Sequence, residues 1–199
     1  MFKILKRLFP KTLKRKIKKF LLKMKEPNMI YGYLNYDGAY KSRTRISDTV
    51  YFYHKEKVNI ADNVFIWHYT ILDGTGGITI EEGCQIGAWV GIFTHSSHIA
   101  IRIYGKHYQE ILENEKKGYI VSPVKIGKYS SIAAGSAIMP GVTIGKGVIV
   151  SVGSVVKRNV PDFAVVSGNP AKIVGDARVL DKEFLDDPIL LKWYEEWQK

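Results

Sequence analysis

Two histidines three residues apart, in Ile92-Phe-Thr-His95-Ser-Ser-His98, are the side chains of this 199-residue chain best suited to proton chemistry. Imidazole changes charge near neutral pH, so a histidine placed beside a hydroxyl can take its proton and return it later. A third histidine, in Ile66-Trp67-His68-Tyr69, is expected on the same side of the molecule, where His68 and Trp67 could touch a substrate. Three converging histidines could instead hold zinc. The single Cys84 excludes an internal disulfide and is expected as a small core residue rather than a nucleophile.

These side chains sit in a six-residue rhythm. Large aliphatics fall at Ile126, Ile132, Ile138, Ile144, Val150 and Val156, and earlier at Ile60, Ile66, Leu72 and at Ile80, Ile86, Ile92. The fifth position of each six is small or β-branched: Val64, Thr70, Cys84, Val90, Ser130, Ser136, Val142, Val148, Ser154 and Val160. A fixed short period marks a repeat architecture and fits neither a 3.6-residue helix nor simple alternation. One large and one small inward residue per short extended face fill a narrow prism, with glycines such as Gly87, Gly127, Gly135, Gly141, Gly145 and Gly153 supplying corner conformations. The expected fold is an all-β repeat, a parallel β-helix. The rhythm slips by two residues after Phe52 and after Leu72, and a long insertion separates Ile92 from Ile126. All three interruptions are expected at one corner, on successive coils. The inserted loop, 96–122, is read as a functional arm rather than a disordered insertion.

The rhythm, together with three further segments, resembles the hexapeptide-repeat acyltransferase superfamily, of the sugar O-acetyltransferase type. The segments are Ile92 to His98, Ile138-Met-Pro-Gly-Val-Thr-Ile-Gly145, and Gly153-Ser-Val-Val-Lys-Arg158 followed by Val166-Ser-Gly-Asn-Pro-Ala-Lys172. The resemblance covers residues 46–175 and implies a left-handed turn of the helix. It implies that His95 is the general base toward an acceptor hydroxyl, that His98 orients the acceptor, and that acetyl-CoA is the co-substrate. By the same resemblance, Ala134 and Val152 offer backbone contacts to the pantetheine arm, and Lys157, Arg158 and Lys172 lie near the nucleotide phosphates. Lys157-Arg158 departs from the Thr-Lys pair frequent in relatives, which leaves those phosphate contacts open. The superfamily also contains zinc-dependent anhydrases, but the histidine spacing departs from theirs, so no metal is expected. A homotrimer with sites between subunits is also implied.

Charge is unevenly placed. The formal net charge is +11, and residues 1–25 hold 11 Lys and Arg with no acid, so the excess belongs to that segment. Its apolar residues Phe2, Leu5, Phe9, Leu13, Ile17 and Met24 recur at helical spacing, which makes it a basic amphipathic helix, interrupted at Pro10, suited to an anionic membrane. No nucleic-acid module follows it, so nucleic acid is not the expected partner. An oligomer-packing or solubilising role is the plainer alternative. No apolar run reaches membrane-spanning length and no secretory signal is evident, so a cytoplasmic protein, peripheral on the inner face of the cell membrane, is expected. The organisation is a basic segment (1–27), a repeat domain (28–175) and a C-terminal helical segment (176–199), in which Leu190, Leu191, Trp193, Tyr194 and Trp197 should pack on the prism or a neighbour.

The function expected from these features is acetyl transfer to a sugar hydroxyl, of a bacterial surface polysaccharide or its lipid-linked precursor. The alternatives are O-acetylation of an antibiotic, N-acetylation of a nucleotide-linked amino sugar, and a non-catalytic β-helix scaffold at a membrane.

Overall fold

A computed structural model describes residues 26–198 and, before them, residues 10, 12, 13 and 15–17, all but Pro10 of these six being helical. The basic amphipathic segment otherwise lies outside the described residues. From Ile46 onward the chain winds as a three-faced parallel β-helix. On the first face Ile46, Ile66, Ile86, Ile132, Val150 and Val166 stack in register. On the second, Phe52, Leu72, Ile92, Ile138 and Val156 do so. Ile60, Ile80, Ile126, Ile144 and Val160 form the third. The six-residue rhythm is therefore one aliphatic per face.

The small fifth positions are all buried. Where they are polar, each satisfies its hydroxyl or thiol on the neighbouring coil: Thr70 donates to the Gly87 carbonyl (2.9 Å), Ser130 to Gly145 (2.7 Å) and Ser136 to Ser151 (3.0 Å). Cys84 Sγ lies 3.1 Å from the Gly127 carbonyl, and burial pushes its thiol up to about 12, so it is an inert core residue.

The glycines divide into two kinds. Gly135 has φ +69° with open space where a Cβ would point, so its demand is conformational. At Gly127 a Cβ would stand 2.6 Å from the Gly145 carbonyl carbon, and Gly87 and Gly145 are equally tight against the next coil. Close stacking, not an unusual φ, fixes glycine at these three, which corrects the corner-conformation reading. Gly127→Ala should therefore cost about 1–3 kcal/mol by forcing two coils apart. Gly135→Ala should cost about 1 kcal/mol from strain alone. Urea unfolding of the two variants compares them.

Call the turn from first to second face corner 1, from second to third corner 2, and from third to first corner 3. Phe52–Ile60, Leu72–Ile80 and Ile92–Ile126 all cross corner 2, as expected from the slips. The long crossing is an arm. It leaves and returns through an antiparallel pair, His95–Ser96 with Ile120–Val121, and carries α1 (Ala100–Tyr104) and two 3-10 turns. Gly118 lies against Ile99, and the Lys117 N–H donates to the Tyr104 hydroxyl at 2.9 Å.

Antiparallel hairpins close both ends of the first face. At one end β1 (Met29–Leu34) is the edge strand, paired with β2 (Tyr40–Ser47). At the other, Ala164–Gly168 pairs with Ala171–Asp176. The C-terminal segment is two helices, α2 (Ala177–Asp181) and α3 (Pro188–Gln198), rather than one. Trp197 packs on Tyr129 and Phe163 at corner 3 (ring centroids 4.7 and 5.8 Å), and the Tyr194 hydroxyl donates to Asp181. Leu190, Leu191 and Trp193 remain exposed. Among the described residues no helix is long and apolar enough to cross a membrane.

Candidate active site

His95 begins the arm at corner 2, half-buried, and its imidazole is held by a carboxylate. Asp73, one coil earlier and 3% exposed, has Oδ2 at 2.6 Å from His95 Nδ1. The same oxygen accepts from the backbone N–H groups of Thr94 (2.9 Å) and His95 (3.2 Å). Oδ1 accepts from the Thr75 hydroxyl (2.6 Å) and N–H (3.1 Å). Burial alone would raise the carboxyl, but these hydrogen bonds, Thr75 foremost, outweigh it and hold Asp73 at about 2. It is thus a carboxylate at any physiological pH and must accept from Nδ1–H. In the neutral imidazole Nε2 is then the nitrogen without a proton, able to receive one.

The two-residue slip after Leu72 builds this cradle. Leu72 fills the core, and the wider turn Asp73-Gly-Thr75-Gly folds the carboxylate back under the next coil. There the Thr94 hydroxyl donates to the Asp73 carbonyl (2.6 Å) and accepts from the Gly76 N–H (2.7 Å). Tyr119, at the return of the arm, places its ring 5.9 Å from that of His95. His98 is exposed, with Nδ1 2.6 Å from Ser96 Oγ, and belongs to the start of the arm.

His68 does not join them. It follows Ile66 on the first face and so lies at corner 1, across the second face from His95, with Nδ1 2.7 Å from Ser47 Oγ. The expectation of one side failed because His68 and His95 follow aliphatics of different faces. Exposed Trp67 is beside His68, its ring tilted against Phe65. Among the described residues no group of three His, Cys, Asp or Glu side chains could hold a metal ion.

The expected coenzyme residues are likewise split between corners. Ala134 and Val152 stack at corner 1, where the Ala134 carbonyl accepts from Gly153 N–H (3.0 Å). The N–H groups of Ala134 and Val152 have no backbone acceptor among the described residues, so this strip offers free donors. Lys157 and Arg158 follow Val156 and are exposed at corner 2, in the column of His95. Lys172 is exposed on the closing hairpin opposite Ser167.

The bacterial transferase hexapeptide family (six repeats) matches residues 119–158. A hexapeptide-repeat acetyltransferase of Vibrio cholerae, solved with acetyl coenzyme A, overlays with a TM-score of 0.54 at 27% identity, over 64% of each chain. A maltose O-acetyltransferase from Clostridium difficile does so with a TM-score of 0.55 at 28% identity, over 65% of this chain and 64% of that one. By repeat, sequence and fold this chain is similar to the hexapeptide-repeat acyltransferases.

A chloramphenicol acetyltransferase of Agrobacterium fabrum is 27% identical over 177 residues, 87% of this chain and 77% of that enzyme. The chain spans 61% of the length of a Saccharomyces cerevisiae relative, to which it is 33% identical over 132 residues.

Asp73, Thr75, Thr94 and Tyr119 were not among the residues expected from sequence. The available signal was positional. Asp73 stands in a slip of the rhythm one coil before the crossing that carries His95, and a carboxylate beside a core leucine needs a reason to be there.

Proposed function

We propose that the protein is an acetyl-CoA-dependent O-acetyltransferase acting on a sugar hydroxyl, with His95 as general base. The observation that carries this reading is the 2.6 Å contact from His95 to the buried carboxylate of Asp73. His95 Nε2 takes the acceptor hydroxyl proton as the oxygen attacks the thioester carbonyl. When the carbon–sulfur bond breaks, the same proton passes to the departing thiolate. Asp73 holds the tautomer and stabilises the imidazolium between the two steps, as a carboxylate does for a catalytic histidine elsewhere. The arm rising beside His95, with Tyr119 and His98, supplies the acceptor side.

The division of the coenzyme residues between two corners favours a homotrimer. One chain cannot bring corner 1 to corner 2, whereas a cyclic neighbour can face its corner 1 to this chain's corner 2. On this reading the free N–H groups of Ala134 and Val152 bind the pantetheine amides. Lys157, Arg158 and Lys172 offset phosphate charge. His68 and Trp67 reach the acceptor only from a neighbouring subunit. Similarity to the superfamily supports a left-handed turn of the coils. The basic segment, residues 1–25, supports a cytoplasmic enzyme peripheral on the inner membrane face, and a surface polysaccharide or its lipid-linked precursor as acceptor.

The test is to incubate wild type and His95→Ala with labelled acetyl-CoA and membrane glycolipid, then treat the product with mild alkali. Label that needs His95 and is released by alkali is the expected result. Alkali-stable label means an amide and the amino-sugar acceptor instead. The long match to the Agrobacterium fabrum enzyme favours an antibiotic hydroxyl as second reading. Chloramphenicol as sole acceptor separates the two.

A further inference from the structure

Two features meet at the N-terminal end of the prism. The first is charge. Residues 1–25 hold 11 Lys and Arg and no acid, residues 26–57, the first coil and its hairpin, hold 5 against 4, and residues 58–199 hold 14 against 15. The C-terminal helical segment, residues 176–199, which starts at the opposite end and runs back along corner 3 as far as Tyr129, holds 4 against 7. The positive charge therefore belongs to the segment that joins the prism at its first coil, the coil itself being close to neutral, whereas the last residues of the chain are acidic.

The second is the edge. β1, Met-Ile-Tyr-Gly-Tyr-Leu, is the outermost strand of the eight-stranded face and has no charged residue. Exposed edge strands ordinarily carry charge or proline to prevent pairing and aggregation. The edge strand at the other end, Ala171–Asp176, does carry Lys172 and Asp176. On β1 and its turn, Tyr31 is 74% exposed, Tyr36 75%, Leu34 58% and Ile30 54%, and Tyr40 on β2 is 65% exposed. Tyrosine suits a bilayer interface, where one end of the ring is apolar and the other wet. Lys25 is four residues from Met29 in the sequence, so the basic segment is joined to the prism at this end, Lys25 being within about 14 Å of β1 by chain length alone.

We infer that the prism stands end-on against an anionic phospholipid bilayer, with β1 and the turn to β2 in the headgroup layer and the acidic C-terminal end pointing away. This rests on the membrane part of the reading above and extends it from the basic segment to the folded domain. The C-terminal end also exposes apolar side chains, among them Val179, Leu180 and Phe184, but its negative charge is repelled by such a surface. Equivalent points of a cyclic trimer lie at one height along its axis, so three such ends can meet one plane. Tyr53, Asp73 and the coil of His95 succeed one another at corner 2. At a strand spacing of about 4.8 Å, His95 stands about 10 Å above the first coil, within reach of a sugar carried on a lipid headgroup.

The test uses the full chain and vesicles of phosphatidylglycerol with phosphatidylcholine, against phosphatidylcholine alone. A polarity-sensitive fluorophore is attached at Tyr36→Cys or at Asp186→Cys, the native Cys84 being buried. On anionic vesicles the first label should shift to the blue and be quenched by nitroxide lipid, and the second should do neither. Tyr31→Ser/Tyr36→Ser should weaken partitioning about tenfold with an unchanged circular dichroism spectrum. Quenching at position 186, or sedimentation with no change at position 36, overturns the end-on orientation. Equal binding to phosphatidylcholine alone overturns the role of charge. No binding at all removes the membrane part of the proposed function as well, while acetyl transfer to a soluble acceptor is read separately and can survive.

Discussion

Replacing His95 with alanine is expected to lower kcat for acetyl transfer by about 10²–10⁴-fold, the usual worth of a positioned general base. KM for acetyl-CoA should stay near the wild-type value, because the free N–H strip and the cations assigned to the coenzyme involve no part of the imidazole. Steady-state kinetics with the purified variant reads both quantities. The substitution also leaves the buried Asp73 carboxylate without one of its donors, so the folded state should be checked by thermal melting. A loss of KM rather than kcat would make His95 a binding residue. A small loss in both would favour an amine acceptor, which is nucleophilic once deprotonated and needs less help.

Asp73→Asn should be nearly as damaging although the side chain keeps its shape. The amide can turn its NH₂ toward His95 Nδ1, which moves the ring proton to Nε2 and removes the acceptor for the hydroxyl proton. A loss of about 10²–10⁴-fold in kcat, with KM for acetyl-CoA unchanged, is expected of such a positioning residue. The stability readout is separate. The folded-state value of about 2 lies below the ordinary 3.8, so the carboxylate contributes stability that is fully present above about pH 4. That contribution is lost as pH falls toward 2 and amounts to about 2 kcal/mol. Acid unfolding of wild type should therefore show a slope between pH 4 and 2 that the Asn variant lacks. Equal slopes in both proteins would mean that Asp73 is not depressed.

Much of this was legible in the sequence because stacking makes each coil obey the same rule. Ile126, Ile132 and Ile138 announce three faces by spacing alone, and Ser130 and Ser136 announce the small inward partner. The slips after Phe52 and Leu72 and the long insertion after Ile92 marked corner 2. What sequence did not yield is contact between coils of unequal length. Asp73 meets His95 at a separation of 22 residues, while the same faces lie 20 apart early in the prism and 18 apart between Ile132 and Val150. No single offset finds such a pair. The misplacement of His68 has the same root, since its face depends on counting strands rather than residues. The residues proposed for the coenzyme, one run in sequence, fall into two columns, because Val152 follows a first-face strand and Lys157 a second-face strand.

The paired ends of the arm have a consequence for how such a protein can be altered. Residues 95–96 and 120–121 run side by side, so the chain leaves the prism and comes back at one point. In a solenoid each coil touches only the coils above and below it. Everything from Ser97 to Tyr119 is therefore a detachable cartridge: it can be shortened, exchanged or redesigned at the price of one new turn, with the stack of isoleucines left as it is. If the arm supplies the acceptor side as proposed, one part of acceptor choice is written in the cartridge, while foldability is written in the beat of six.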